Sequence, residues 1–186
     1  MRPWSELVIF GIGHSTRTIE AFVGLLWENG VVTLADVRRY PGSRRNPDFN
    51  PPQLARSLAL AGIRYAPLSD LGGRRRPVPG SHNGAWRSDA FRGYADFLQT
   101  QAFAHGLATL GELAQAGPLA MMCAEAVPWR CHRSLIADAL TARGCHVQQI
   151  LGPGQVRPHR LTPFALVKGN AVTYPAEGSR PDEHPR

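Results

Sequence analysis

The chain has 186 residues, 43% of them apolar, which suffices for one well-buried core and is too short to require two. Its apolar runs break off well short of the roughly 20 residues of a membrane-spanning helix, and Met-Arg-Pro-Trp-Ser-Glu at the start carries no signal-peptide pattern, so a cytoplasmic protein without a membrane partner is expected. The formal charge of +7 is regional: residues 38–92 hold eleven arginines against Asp48, Asp70 and Asp89, a net of +8, and the remainder of the chain is close to neutral.

All basic residues but Lys168 are arginine, whose planar fork suits phosphates and carboxylates, so an anionic ligand, a nucleotide or nucleic acid, is the natural partner. A GC-rich coding sequence also favours arginine over lysine, but it does not cluster it. Three cysteines, Cys123, Cys131 and Cys145, are too few for a secreted disulfide framework.

Residues 7–12 read as a first strand running into Gly-Ile-Gly-His-Ser-Thr, and the apolar spacing of Ile19, Phe22, Val23 and Leu26 predicts a helix stopped by Gly30. A second strand, 31–37, leads into the basic stretch 38–45. Pro51 and Pro52 open a helix closed by Gly62, and 63–68 form a third strand. Residues 69–90 are a polar loop rich in Gly, Pro and Arg, long enough to be either functional or mobile. Helical patterns over 91–98 and 102–116 precede a strand at 119–123, a helix over 129–143 and a last core strand at 146–151. This alternation predicts an α/β fold: a single three-layer domain over residues 1–165, with a largely parallel sheet and helices on both faces. Residues 166–186 read as a tail, disordered from Glu177 on.

Ligands of such sheets bind outside the carboxyl ends of the strands, and here those ends carry chemistry. His14 and Ser15 follow the first strand, Asp36 and Arg38 the second, Cys123 and Glu125 the fourth, with Arg130 and Arg133 at the next helix start. A helix N-terminus presents unpaired N–H groups and favours anions and thiolates. His14, Asp36, Cys123 and Glu125 are therefore candidate catalytic residues opening on one pocket. Ser15, Arg38, Arg130, Arg133, Arg44, Arg45 and Arg74 are candidate anion-binding residues. Each has a structural alternative: Cys123 closing a core strand, Asp36 paired with Arg38, Arg130 and Arg133 paired with Glu125 or Asp36. Cys131 and His132 fall on the inward side of the expected helix and read as packing, with His132 needing a partner for its ring. Cys145 also reads as core, and no standard zinc spacing is present, so no metal is expected.

Gly11-Ile12-Gly13-His14-Ser15, Asp36-Val37-Arg38, Pro41-Gly42-Ser43 with Asn46-Pro47-x-Phe49, Leu71-Gly72-Gly73, Phe91-Arg92-Gly93-Tyr94, Cys123-x-Glu125 and Cys131-His132-Arg133 stand in order along the chain. In these motifs, over residues 7–165, the chain resembles the domain-of-unknown-function 488 family. The resemblance implies a compact α/β domain with the motifs gathered at one edge, and it implies no activity or cofactor.

Function must then be read from the residues. An enzyme acting on an anionic substrate uses all of them, because acids such as Asp36 and Glu125 serve proton transfer and only weaken a plain phosphate binder. The alternative is a non-catalytic nucleic-acid-binding module that uses the arginine-rich face. A phosphatase-type loop fits poorly, since the segment between Cys123 and Arg130 lacks glycine and Glu125 repels a dianion.

Overall fold

The structure, a computed structural model, describes residues 1–177. Strands β1 (Val8–Gly13), β2 (Thr33–Asp36), β3 (Arg64–Pro67), β4 (Leu119–Cys123) and β5 (His146–Gly152) run parallel, and β6 (Gln155–Pro158) returns antiparallel along β5. The sheet order is β3-β2-β4-β1-β5-β6. Side chains leave the strands with period two, and both faces are apolar. Phe10, Ile12, Leu34 and Met122 pack with Phe22 and Leu26 of α1 (Ile19–Glu28) and Leu54 and Leu58 of α2 (Pro51–Leu60). On the other face, Ile9, Ala35, Met121 and Val147 meet Tyr94 of α3 (Asp89–Phe97), Leu107 of α4 (Gln101–Leu113) and Leu135 and Leu140 of α5 (Arg133–Thr141). The fold is thus the expected three-layer α/β sandwich.

The chain signals its own boundaries. Thr18 caps α1 by accepting from the Ala21 amide at 3.2 Å, Thr100 caps α4 in the same way, and Pro51 and Pro52 occupy the first turn of α2. The connection leaving β1 crosses one face of the sheet toward β2, and the one leaving β4 crosses the other toward β5. Because β1 and β4 are neighbours, their carboxyl ends part in opposite directions and leave a crevice between the loops.

Three segments differ from the sequence pattern or extend it. The helix expected over 129–143 is a single 3-10 turn, Pro128–Arg130, followed by an extended Cys131 and then α5, because Pro128 starts the turn and Cys131 takes φ −129°. The long loop 69–90 is pinned by Asp96, which accepts from the Val78 amide, Ser81 Oγ and Asn83 Nδ2 at 2.6–2.9 Å. Residues 166–177 comprise the hairpin β7 (Leu166–Lys168) and β8 (Ala171–Thr173) and the segment after it, with Val172 and Tyr174 buried in the core. Tyr174 and Thr162 hydroxyls and His159 Nε2 all donate to Asp138 of α5 at 2.7 Å, which ties this end of the chain to the sheet layer. Residues 178–186, in the part expected to be disordered, lie outside the described residues. No described helix is long and apolar enough to cross a membrane.

Candidate functional site

Gly13 and Cys123 are register partners at the ends of β1 and β4, and the ladder continues one step past them: His14 N–H donates to Cys123 O at 3.0 Å and Ser15 N–H to Ala124 O at 2.9 Å. The segment after Cys123 therefore lies directly on β1. A Cβ on residue 13 would stand 2.0 Å from Glu125 O, so this path requires glycine. Glu125 Oε1 accepts from the Val127 amide at 3.1 Å and holds the turn that leads to Pro128.

The break before α5 turns Cys131 and His132 back onto Cys123. Sγ of Cys123, Sγ of Cys131 and a ring nitrogen of His132 all lie within 4.8 Å of one another, the one such group of donors among the described residues close enough to share a proton or a soft metal ion. His132 Nε2 is 3.0 Å from Val37 O, and a carbonyl only accepts, so Nε2 carries a hydrogen and donates to it, which leaves Nδ1 as the ring nitrogen beside Cys131 Sγ, 3.7 Å away. The ring is held in place by Tyr94, centroids 5.0 Å apart, and by Gly73, where any Cβ would come within 2.9 Å of Nδ1.

Arg133 completes the cluster from below. Its side chain is fully buried, donates to Glu125 O at 2.6 Å, Ala126 O at 3.1 Å and Cys131 Sγ at 3.8 Å, and leaves Nε without a partner. Among the described residues no carboxylate pairs with it. A buried guanidinium needs a compensating negative charge, and the sulfur pair can supply one. Hydrogen bonding from Cys131 and the neighbourhood of His132 hold the Cys123 thiol well below its ordinary value, while Cys131, which donates to Cys123 and is buried, is pushed up. The negative charge belongs on Cys123, the sulfur at the surface of the cluster. Burial alone raises Cys145 to about 11.

Above Cys123 opens a cavity of about 460 Å³ lined by Arg38, Arg39, Tyr40, Arg74, Phe91, Glu125, Arg130 and His132, among others. Of the candidate catalytic residues, Cys123 and Glu125 face it, and of the candidate anion binders, Arg38, Arg74 and Arg130. His14 and Asp36 sit behind this surface, each 2% exposed. Asp36 accepts from Arg38 Nε at 2.8 Å, Arg38 NH2 at 2.6 Å and the Tyr65 hydroxyl at 2.8 Å, a buried ion pair that aims Arg38. His14 stacks on Phe49, centroids 4.3 Å apart, with Nδ1 3.0 Å from Ser15 O and Nε2 3.4 Å from Arg38. Burial pulls its basicity below the ordinary histidine value, so the ring is neutral, with Nδ1–H donating to Ser15 O and Nε2 accepting from Arg38. Ser15, at φ 49°, and the exposed Arg44 and Arg45 are not among the lining residues, and Arg133 lies beneath the floor.

A family model described as "Domain of unknown function DUF488" matches residues 18–140, well over half of the chain. The chain belongs to the DUF488 family. The DUF488 match takes in Asp36, Arg38, Cys123, Glu125 and the Cys131-His132-Arg133 run, and stops short of His14 and Ser15. Neither the curated proteins nor the solved structures compared with the chain contain a match.

Cys131 and His132 are the residues that the sequence pattern undervalues. Their signal was present, a second cysteine and a histidine directly after a proline turn, but the helical period through Leu135 and Ala139 hid it.

Proposed function

We propose that the chain is an enzyme acting on a small anionic substrate held in the arginine-lined pocket, with the Cys123 thiolate as the group that meets it. The observation that carries this reading is the position of Cys123: the sulfur at the floor of the pocket is flanked by Cys131 and His132 and backed by a buried guanidinium that has no carboxylate. A thiolate, not a thiol, is the nucleophile, and electropositive, partly exposed surroundings produce one.

Arg74 and Arg130 bind the substrate anion in this reading, Arg38 lines the pocket with its guanidinium held by Asp36, and Glu125 is the acid within reach of the anion. Asp36 and His14 are positioning residues, the first holding Arg38 and the second packing behind it. A cavity of this volume suits a single nucleotide or a metabolite of similar size. The wider nucleic-acid face receives less support. Arg38 and Arg133 are consumed inside the protein, and Arg75 donates to Gly72 O and Asp70 O and lies over Phe97 at 3.8 Å. A cytoplasmic setting, which keeps thiols reduced, agrees with this chemistry.

Paired alkylation tests the reading. Iodoacetate carries a negative charge and iodoacetamide does not, so the arginines should raise the iodoacetate-to-iodoacetamide rate ratio at Cys123 by about tenfold over that of the unfolded chain at low salt. Nucleoside monophosphate should protect Cys123, and Arg130→Ala with Arg74→Ala should bring the ratio down. An unlabelled Cys123, or a ratio equal to that of the unfolded chain, refutes it.

A further inference from the structure

We propose that Cys123 and Cys131 are an attacking and resolving dithiol, by which the site reduces a hydroperoxide by two electrons and closes a Cys123–Cys131 disulfide. This rests on Cys123 being the accessible thiolate and adds to it the role of Cys131, with the hydroperoxide as the oxidant of the pair and distinct from the anion held by the arginines.

Three features of the cluster carry the assignment. The two sulfurs lie within 4.8 Å of each other without being bonded, and both cysteines are free. They differ in access, since Cys123 is partly exposed at the pocket floor while Cys131 is 4% exposed beneath it. A peroxide therefore reaches Cys123 first and leaves Cys131 as the second thiol, the layout of a redox-active pair. Finally, His132 Nδ1 is 3.7 Å from Cys131 Sγ and, with Nε2 engaged by Val37 O, is the ring atom placed to take that proton when Cys131 attacks. The opposite displacements of the two thiols, Cys123 down and Cys131 up, agree with this order of events.

The Cys123 thiolate attacks the peroxide, an S–O bond forms as the O–O bond breaks, and the departing oxygen leaves as an alcohol, or as water from hydrogen peroxide, after taking a proton from solvent. Cys123 is then a sulfenic acid. The Cys131 thiol gives its proton to His132 Nδ1, its sulfur attacks Cys123 Sγ, the S–O bond breaks, and the hydroxide takes the proton back from His132 and leaves as water. Two thiols have been oxidised to a disulfide and one peroxide reduced. A thiol reductant returns the pair by exchange.

The probe is hydrogen peroxide, one equivalent per chain, on the full-length protein, read by intact mass and by tryptic mapping. Trypsin separates the two residues, since Cys123 falls in the peptide 93–130 and Cys131 in 131–133. The expected result is a loss of about 2 Da and a peptide pair linked between those segments, reversed by dithiothreitol and retained in Cys145→Ser. Cys131→Ser should form no disulfide and should accumulate a sulfenic acid at Cys123, trapped by dimedone; should that variant not fold, the wild-type linkage map decides alone. Cys123 labelled by iodoacetate but never linked to Cys131 overturns the dithiol and leaves the nucleophile standing, whereas a Cys123 inert to both reagents overturns both. One equivalent of tightly held zinc in the purified protein, blocking both thiols until a chelator removes it, also overturns the dithiol.

Discussion

Replacing Cys123 by serine should change how stability depends on pH, by an amount that follows from the cluster. In the unfolded chain a thiol titrates near 8.5, and in the native state Cys131 and His132 hold Cys123 below its ordinary value. Below about pH 8.5 the unfolded chain then binds a proton that the native state lacks. Stability contributed by Cys123 is fully present above the unfolded value and is lost as pH falls toward the native one. The slope approaches one proton, about 1.4 kcal/mol per pH unit. Part of the unfolded population is still deprotonated at pH 8, so the fall from pH 8 to pH 7 is about 1 kcal/mol. Serine does not titrate, so urea denaturation of Cys123→Ser at both pH values should lack this component, while titration of distant groups cancels in the comparison. Cys131 acts on the alkaline side: its native value is raised, so its contribution is present below the unfolded value and declines above it. Wild-type stability should accordingly peak near the ordinary thiol value. Equal pH slopes for wild type and Cys123→Ser between pH 7 and pH 8 would show that no thiolate resides at Cys123, and with it the electrostatic account of the site would fall.

Gly13→Ala should destabilise by about 1–3 kcal/mol in denaturant melts and slow Cys123 alkylation, because its Cβ meets the Glu125 carbonyl at 2.0 Å. Gly24→Ala in α1, where nothing lies within 4 Å, should instead stabilise by up to about 1 kcal/mol. Asp36→Ala should cost about 3–5 kcal/mol by leaving Arg38 buried and unpaired, and adding Arg38→Met should recover much of that loss; additive losses in the double variant would contradict the ion-pair account. Tyr174→Phe removes a hydroxyl that donates to the buried Asp138 carboxylate at 2.7 Å. It should cost about 1.5–3 kcal/mol and speed tryptic cleavage at Lys168, a site that stays protected in the wild type if the hairpin is docked as described.

The alternation of strand and helix was legible from the sequence because periodicity and turn chemistry are local: an apolar stripe, a threonine cap or a paired proline acts within a few residues. From that alternation followed the parallel sheet, the strand ends, and the position of Cys123, Glu125 and Arg130 at one edge. The strand order β3-β2-β4-β1-β5-β6 was not legible, since β1, β2, β4 and β5 are each apolar on both faces and their patterns fit beside several neighbours. The hairpin ending at Thr173 escaped notice because three-residue strands carry too little periodicity; only docking of Val172 and Tyr174 on the core defines them. Charge is where the tertiary structure decided most. One dense run of arginines separates in space into Arg38 locked to Asp36, Arg75 folded over Phe97, and Arg74 free to face the pocket, while outside that run Arg133 is buried on carbonyls and a sulfur. Sequence counts charges, whereas their partners depend on which loops fold over which strand ends. The same holds for Cys131 and His132: a helical period sent them to the core, and one 3-10 turn at Pro128 returned them to Cys123.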